Sequence, residues 1–78
     1  MKNRGQKVQP YSEETEKGLL GVLLLQQRSW ETVESLVSAN DFYYPKHGHI
    51  FTAIARLHTK QQAVDMLTVI EALQVLQL

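Results

Sequence analysis

Residues 12–25 read SEETEKGLLGVLLL. A serine followed at once by Glu13, Glu14 and Glu16 marks a helix start. The hydroxyl can accept from a free N–H of the first turn, and the carboxylates sit where the helix end is positive. Leu19, Leu20, Leu23 and Leu24 then recur at helical spacing, so the stretch predicts an amphipathic helix over about 13–26. Gly18 and Gly21 lie inside it and share a face, each costing about 1 kcal/mol against Ala. That cost predicts close packing of another helix on their face. The apolar run Leu19–Leu25 is far short of the roughly 20 residues that a membrane span needs.

The elements that follow have the same period. Gln27-Arg28-Ser29 is a break, and Ser29 is the predicted cap of a second helix over about 30–38. Its stripe is Trp30, Val33 and Val37, with Leu36 beside it and Glu31 and Glu34 off it. Asn40-Asp41 ends that run. Phe42-Tyr43-Tyr44-Pro45 reads as a short aromatic linker, because a residue before proline avoids the α region. A third helix is predicted over about 46–60 with the stripe Ile50, Phe51, Ile54 and Leu57. After the polar Lys60-Gln61-Gln62 connection, Asp65 is the predicted cap of a fourth helix over about 66–76. Its stripe is Met66, Ile70 and Leu73, flanked by Val69 and Leu76. No stretch alternates with period two for long enough to make a strand. The prediction is an all-α fold, a small globular orthogonal bundle of about four helices over residues 11–78. Residues 1–10 read as a disordered basic arm. Leu76 and Leu78 are apolar with no Gly, Asn or Pro stop after them, so the end reads as truncated.

Composition narrows the function. The chain has 78 residues, enough for one small domain. Eight basic and eight acidic side chains balance, and there is no cysteine, so disulfides, thiolate metal sites and a cysteine nucleophile are excluded. Charge is uneven: residues 1–10 carry Lys2, Arg4 and Lys7 and no acid, whereas residues 11–41 carry a net charge of −4. Such a chain is a poor general ligand for a phosphate backbone. His47, His49 and His58 have no chelating spacing, and no His-Glu-x-x-His motif is present. In the residue reading, His47 bridges the start of the third helix to the Asp41–Tyr44 segment, and the other two histidines lie at the surface. Glu13, Glu14 and Glu16 cluster in one turn and read as first-turn charge, not as carboxylates facing across a cleft. No phosphate-binding G-x-x-x-x-G-K-[ST] loop and no G-x-S-x-G elbow occurs. Helix-turn-helix recognition of DNA is disfavoured, since the second helix carries Glu31 and Glu34 and no Lys or Arg. Trp30 and Phe42 read as core. Tyr43 and Tyr44 are adjacent, so at least one faces solvent, where an aromatic anchors protein contacts.

Taken in order, these residues resemble a known family. Pro10 is followed by Glu14-x-Glu16 and Leu20-Gly21, then by Trp30 and Val33. Asp41-Phe42-Tyr43 comes next, then His47-x-x-Ile50-Phe51 with Ile54 and Leu57, and last Val64-Asp65-x-x-Thr68-Val69 with Leu73. Over about residues 10–78 the set resembles the N-terminal domain of DnaB-type replicative DNA helicases. Thr15 stands where that family usually has Ala, and Gln74–Leu78 lacks its usual glycine. The resemblance implies a cytoplasmic, non-catalytic collar domain that lacks the family's C-terminal dimerisation hairpin. The parent protein would unwind DNA 5′ to 3′ with ATP and magnesium in a separate RecA-like domain, which would also make most of the DNA contacts. No cofactor is implied for these residues themselves. The implied partners are the C-terminal domain of primase, a helicase loader, and further copies in a hexamer. From charge and aromatic exposure, the expected partner-binding residues are Glu13, Glu31, Glu34, Tyr43 and Tyr44. Two other readings compete: a small DNA-binding regulator using the basic arm, and a self-contained adaptor or antitoxin-like protein.

Overall fold

Helix starts and stops are built from local side-chain chemistry. In the computed structural model, which describes residues 12–78, four helices follow one another: α1 (Glu13–Leu25), α2 (Trp30–Leu36), α3 (Pro45–Thr59) and α4 (Met66–Leu76). The predicted basic arm lies outside the described residues. Ser12 caps α1, its Oγ accepting from the Thr15 N–H at 3.2 Å. Pro45 occupies the first position of α3, where a missing N–H costs nothing, and extended Tyr44 precedes it. Asp65 and Thr68 form a reciprocal box at α4: the Thr68 N–H donates to Asp65 Oδ1 at 2.9 Å, and the Asp65 N–H donates to Thr68 Oγ1 at 2.9 Å.

Some local expectations change. Ser29 does not cap α2. It ends a 3₁₀ turn, Gln27–Ser29, that runs straight into α2, and its backbone is already helical (φ −75°, ψ −9°). A second 3₁₀ turn, Ala39–Asp41, follows α2. There Asp41 Oδ2 accepts from the Ser38 N–H at 2.8 Å. The end of α4 also has a stop, though not from glycine. Gln77 adopts the left-handed region (φ 60°), and the Leu78 N–H bonds back to the Leu73 carbonyl at 2.9 Å.

The core is one cluster under all four helices. Leu20 and Leu23 come from α1, Trp30 from α2, and Phe51, Ile54 and Leu57 from α3. Phe42 fills the space above α3, with Trp30–Phe51 and Phe42–Phe51 ring centroids 5.2 and 5.4 Å apart. α3 is the spine, and its partnership with α4 is the most extensive in the fold. The connection over 60–65 is short and returns the chain onto α3 as α4.

Glycine positions show where helices come close. A Cβ on Gly18 or Gly21 would meet nothing within 4 Å, so neither is a packing glycine inside this domain, contrary to the sequence expectation. Gly48 is the one that is needed. A Cβ there would lie 2.8 Å from the Ala39 carbonyl oxygen, so the second 3₁₀ turn sits directly on α3. α4 is rotated from its predicted stripe. Val69 and Ala72 face the core, whereas Met66 and Ile70 are 67% and 46% exposed. The smaller side chains let α4 lie close to α3, and the bulkier ones fall on its flank.

Candidate interaction surfaces

A buried carboxylate ties the first and third helices together. Glu16 lies on the core side of α1 and is 3% exposed. It accepts three hydrogen bonds: from the Tyr43 N–H at 2.6 Å, the Tyr44 N–H at 3.3 Å and His47 Nδ1 at 2.7 Å. A carboxylate only accepts, so Nδ1 of His47 carries the hydrogen. Burial is the largest influence on the Glu16 carboxyl and pushes its pKa up. The bonds from His47, Tyr43 and Tyr44 outweigh it and hold the group below the usual carboxylate range. Glu16 is therefore not simply first-turn charge. It satisfies the two N–H groups that α3 leaves free before its first turn. The expected bridge from His47 to the Asp41–Tyr44 segment reaches its Tyr44 end and does not include Asp41, which is engaged with Ser38 while His47 bonds Glu16. The His47 ring does contact Tyr44, at 5.5 Å between centroids.

This anchoring presents the aromatic pair. Tyr43 is 58% exposed and Tyr44 is half-buried, their rings meeting edge to face at 5.2 Å. Beside them Glu13 Oε2 receives two ammonium groups, Lys46 at 3.0 Å and Lys17 at 3.6 Å. The Lys46 bond, with the charge of Lys17, lowers the Glu13 carboxyl pKa. Glu13 is thus neutralised locally and contributes little acidic field.

Glu31 and Glu34 stand elsewhere. They are exposed on α2 and line an open cleft of about 530 Å³ with Gln27, Arg28, Trp30, His58 and Thr59. His58 stacks flat on Trp30 (centroids 4.7 Å, interplanar angle 4°). Its burial lowers the imidazole pKa, partly opposed by Glu34, and its Nε2 is buried without a hydrogen-bond partner. The five expected partner residues therefore form two groups, at opposite ends of α3. At 1.5 Å per residue, those ends lie about 20 Å apart.

The other residues of the family pattern are structural. Leu20, Trp30, Phe42 and Phe51 are buried, Ile50 is half-buried, and Asp41, Asp65 and Thr68 make caps. Gly21, Leu20 and Ile50 line an apolar groove of about 400 Å³ between α1, α3 and α4, with Lys17 and Lys46 at its rim. Sequence reasoning missed the Glu16 receptor and this groove. Spacing carries part of the signal: Glu16 lies four residues before Leu20 and seven before Leu23, on the stripe that α1 buries, whereas Glu14 lies off it. Among the described residues no group of three or more His, Asp or Glu could hold a metal ion. No helix there is long and apolar enough to cross a membrane.

Comparison with known proteins gives these features a family. The family model for the DnaB-like helicase N-terminal domain matches residues 8–78. The chain is 34% identical over 67 residues to the replicative DNA helicase DnaB of Haemophilus influenzae, covering 86% of this chain and 14% of that protein. It is 34% identical over 68 residues to the DnaB of Buchnera aphidicola subsp. Acyrthosiphon pisum, covering 87% of this chain and 15% of that protein. The DnaB of Rhodothermus marinus matches at 34% over 68 residues, covering 87% of this chain and 7% of that protein. The chain thus spans about one seventh or less of these relatives. By the extent of the family match and the ordered residues that carry it, this chain belongs to the DnaB-like helicase N-terminal domain family.

Proposed function

We propose that this domain is a non-catalytic collar and docking unit of an ATP-dependent 5′–3′ replicative helicase, acting in the cytoplasm in ring assembly and in recruiting the C-terminal domain of primase. A helicase loader is a further candidate partner. ATP and magnesium belong to a separate RecA-like domain of the parent in this reading, as do the main contacts with DNA.

The observation that carries the reading is the Tyr43–Tyr44 loop. Its backbone is fixed by a buried carboxylate while Tyr43 stays largely exposed. An anchored aromatic loses little freedom on binding, which is what a contact hot spot requires. Glu31 and Glu34, at the far end of α3, supply an acidic surface for orienting a basic partner. The test is amide chemical-shift mapping of the 78-residue chain with the primase C-terminal domain. The reading expects the largest changes at Tyr43–Lys46 and the first turn of α1, with a second set on α2. Tyr43→Ala should weaken binding by roughly tenfold (about 1.4 kcal/mol), and Glu31→Lys with Glu34→Lys should slow association. Unchanged affinity in folded variants would remove these surfaces from the docking role.

A further inference from the structure

His58 stands near the end of α3, and one of its ring nitrogens has nothing to bond. The ring lies flat on Trp30, with centroids 4.7 Å apart and planes within 4°. Its Nε2 is the one buried side-chain nitrogen or oxygen among the described residues that lacks a hydrogen-bond partner. In a neutral imidazole one nitrogen carries the hydrogen and the other accepts. The unpartnered Nε2 is best left as the acceptor, with the hydrogen on Nδ1. Protonation turns Nε2 into a charged donor with no acceptor in reach, the arrangement that a buried site tolerates least. The indole face pulls the other way, since it attracts a cation. Burial also prevails over the one charge that favours the imidazolium, Glu34, so the pKa of the ring stands below 6.5.

A charged ring has somewhere to go. His58 borders the open cleft of about 530 Å³ that α2 also lines. The charged groups around that cleft are Arg28 from the first 3₁₀ turn and Glu31 and Glu34 from α2, two carboxylates against one guanidinium. Arg56 and Lys60, the cations of α3 nearest in sequence, line the separate cleft toward α4 with Glu71. Among the described residues neither Glu31 nor Glu34 has an ion-pair partner. We infer that His58 and Trp30 form a proton-operated latch: on protonation the imidazolium leaves the indole, swings into the cleft and pairs with Glu34 of α2. The movement uncovers Trp30, which is 7% exposed with the ring in place. It also neutralises one of the two α2 carboxylates. Acidification thus withdraws charge from the surface assigned above to a basic partner. That consequence rests on the docking role proposed above. The latch itself is tested on this chain without primase, so either can fail alone.

Trp30 is the only tryptophan, so its fluorescence reads the latch. Emission and helical circular dichroism of the 78-residue chain are followed from about pH 7.5 to about 4.5, with the His58 ring titrated by NMR. The expected result is a red shift of Trp30 emission, with a midpoint below pH 6.5 that coincides with the His58 midpoint, while helicity stays native. Glu34 favours the charged ring, so Glu34→Gln, at an exposed position, should move the midpoint to lower pH. His58→Phe keeps a flat ring that takes no charge and should abolish the shift. Quenching of Trp30 without a red shift means that the imidazolium stays on the indole, which overturns the inference. A midpoint at or above pH 6.5 overturns it, as does one that Glu34→Gln leaves in place. No change in Trp30 over the whole range, or a red shift that tracks loss of helix, overturns it too.

Discussion

Replacing Glu16 by alanine removes one acceptor and strands three donors. The Tyr43 and Tyr44 N–H groups and His47 Nδ1–H all point at this carboxylate, and His47 is only 3% exposed. A buried donor left unpaired costs about 1–3 kcal/mol. Water can reach part of the Tyr43 backbone once the carboxylate is gone, so the sum for three donors is reduced to about 3 kcal/mol. At about 0.05–0.15 kcal/mol per residue, a domain of this size holds roughly 4–12 kcal/mol in all. The variant should therefore lose a quarter or more of its stability. Glu16→Gln keeps one carbonyl acceptor and loses the charge assistance, so about 1–2 kcal/mol is expected. Urea unfolding at pH 7, followed by helical circular dichroism, measures both. With a slope near 1 kcal/mol per molar, Glu16→Ala should lower the midpoint by about 3 M. A loss under about 0.5 kcal/mol, the range of ordinary surface substitutions, would refute the anchoring argument.

The remaining predictions use the same logic. The Glu16 carboxyl is held below its ordinary value of 4.5 in the fold, so its contribution is complete above that value and lost as pH falls through the lowered one. Acid titration of stability should therefore be less steep in Glu16→Gln than in the parent chain. His58 runs by the opposite cause: burial holds its pKa below 6.5, the folded state resists protonation, and stability should decline as pH drops below 6.5. His58→Phe, which keeps a flat ring on Trp30, should remove that decline in denaturation curves taken between pH 7 and 5. Gly48→Ala should destabilise by about 1–3 kcal/mol through collision with the Ala39 carbonyl. Gly18→Ala should instead stabilise by up to about 1 kcal/mol, since its Cβ enters open space. Asp65→Ala should cost about 1 kcal/mol by opening the box at α4, visible as a lower thermal midpoint.

The helices were legible because their signals are local. Ser12 and Asp65 cap where a short polar side chain before an apolar run suggests, and Leu20, Phe51, Ile54 and Leu57 fall on the buried faces that their spacing implies. What could not be read is what depends on long-range geometry. Glu16 and His47 are far apart in sequence, and only the crossing of α1 and α3 joins them. The rotation of α4 depends on how closely Ala72 and Val69 let it approach α3, which periodicity does not encode. The expected partner residues rest on charge and aromatic exposure, which do not say whether Glu31 and Glu34 stand near Tyr43 and Tyr44. The length of α3 separates them. Gly18 and Gly21 were read as packing positions, but the helix they would admit is not among the described elements.

The central claim, that this domain docks the C-terminal domain of primase, meets its most direct test in titration calorimetry of the two at low and high salt. The account predicts saturable binding by the folded 78-residue chain, weaker at high salt and weakened again by Tyr43→Ala. No heat and no complex from a helical, soluble sample at either salt would contradict it.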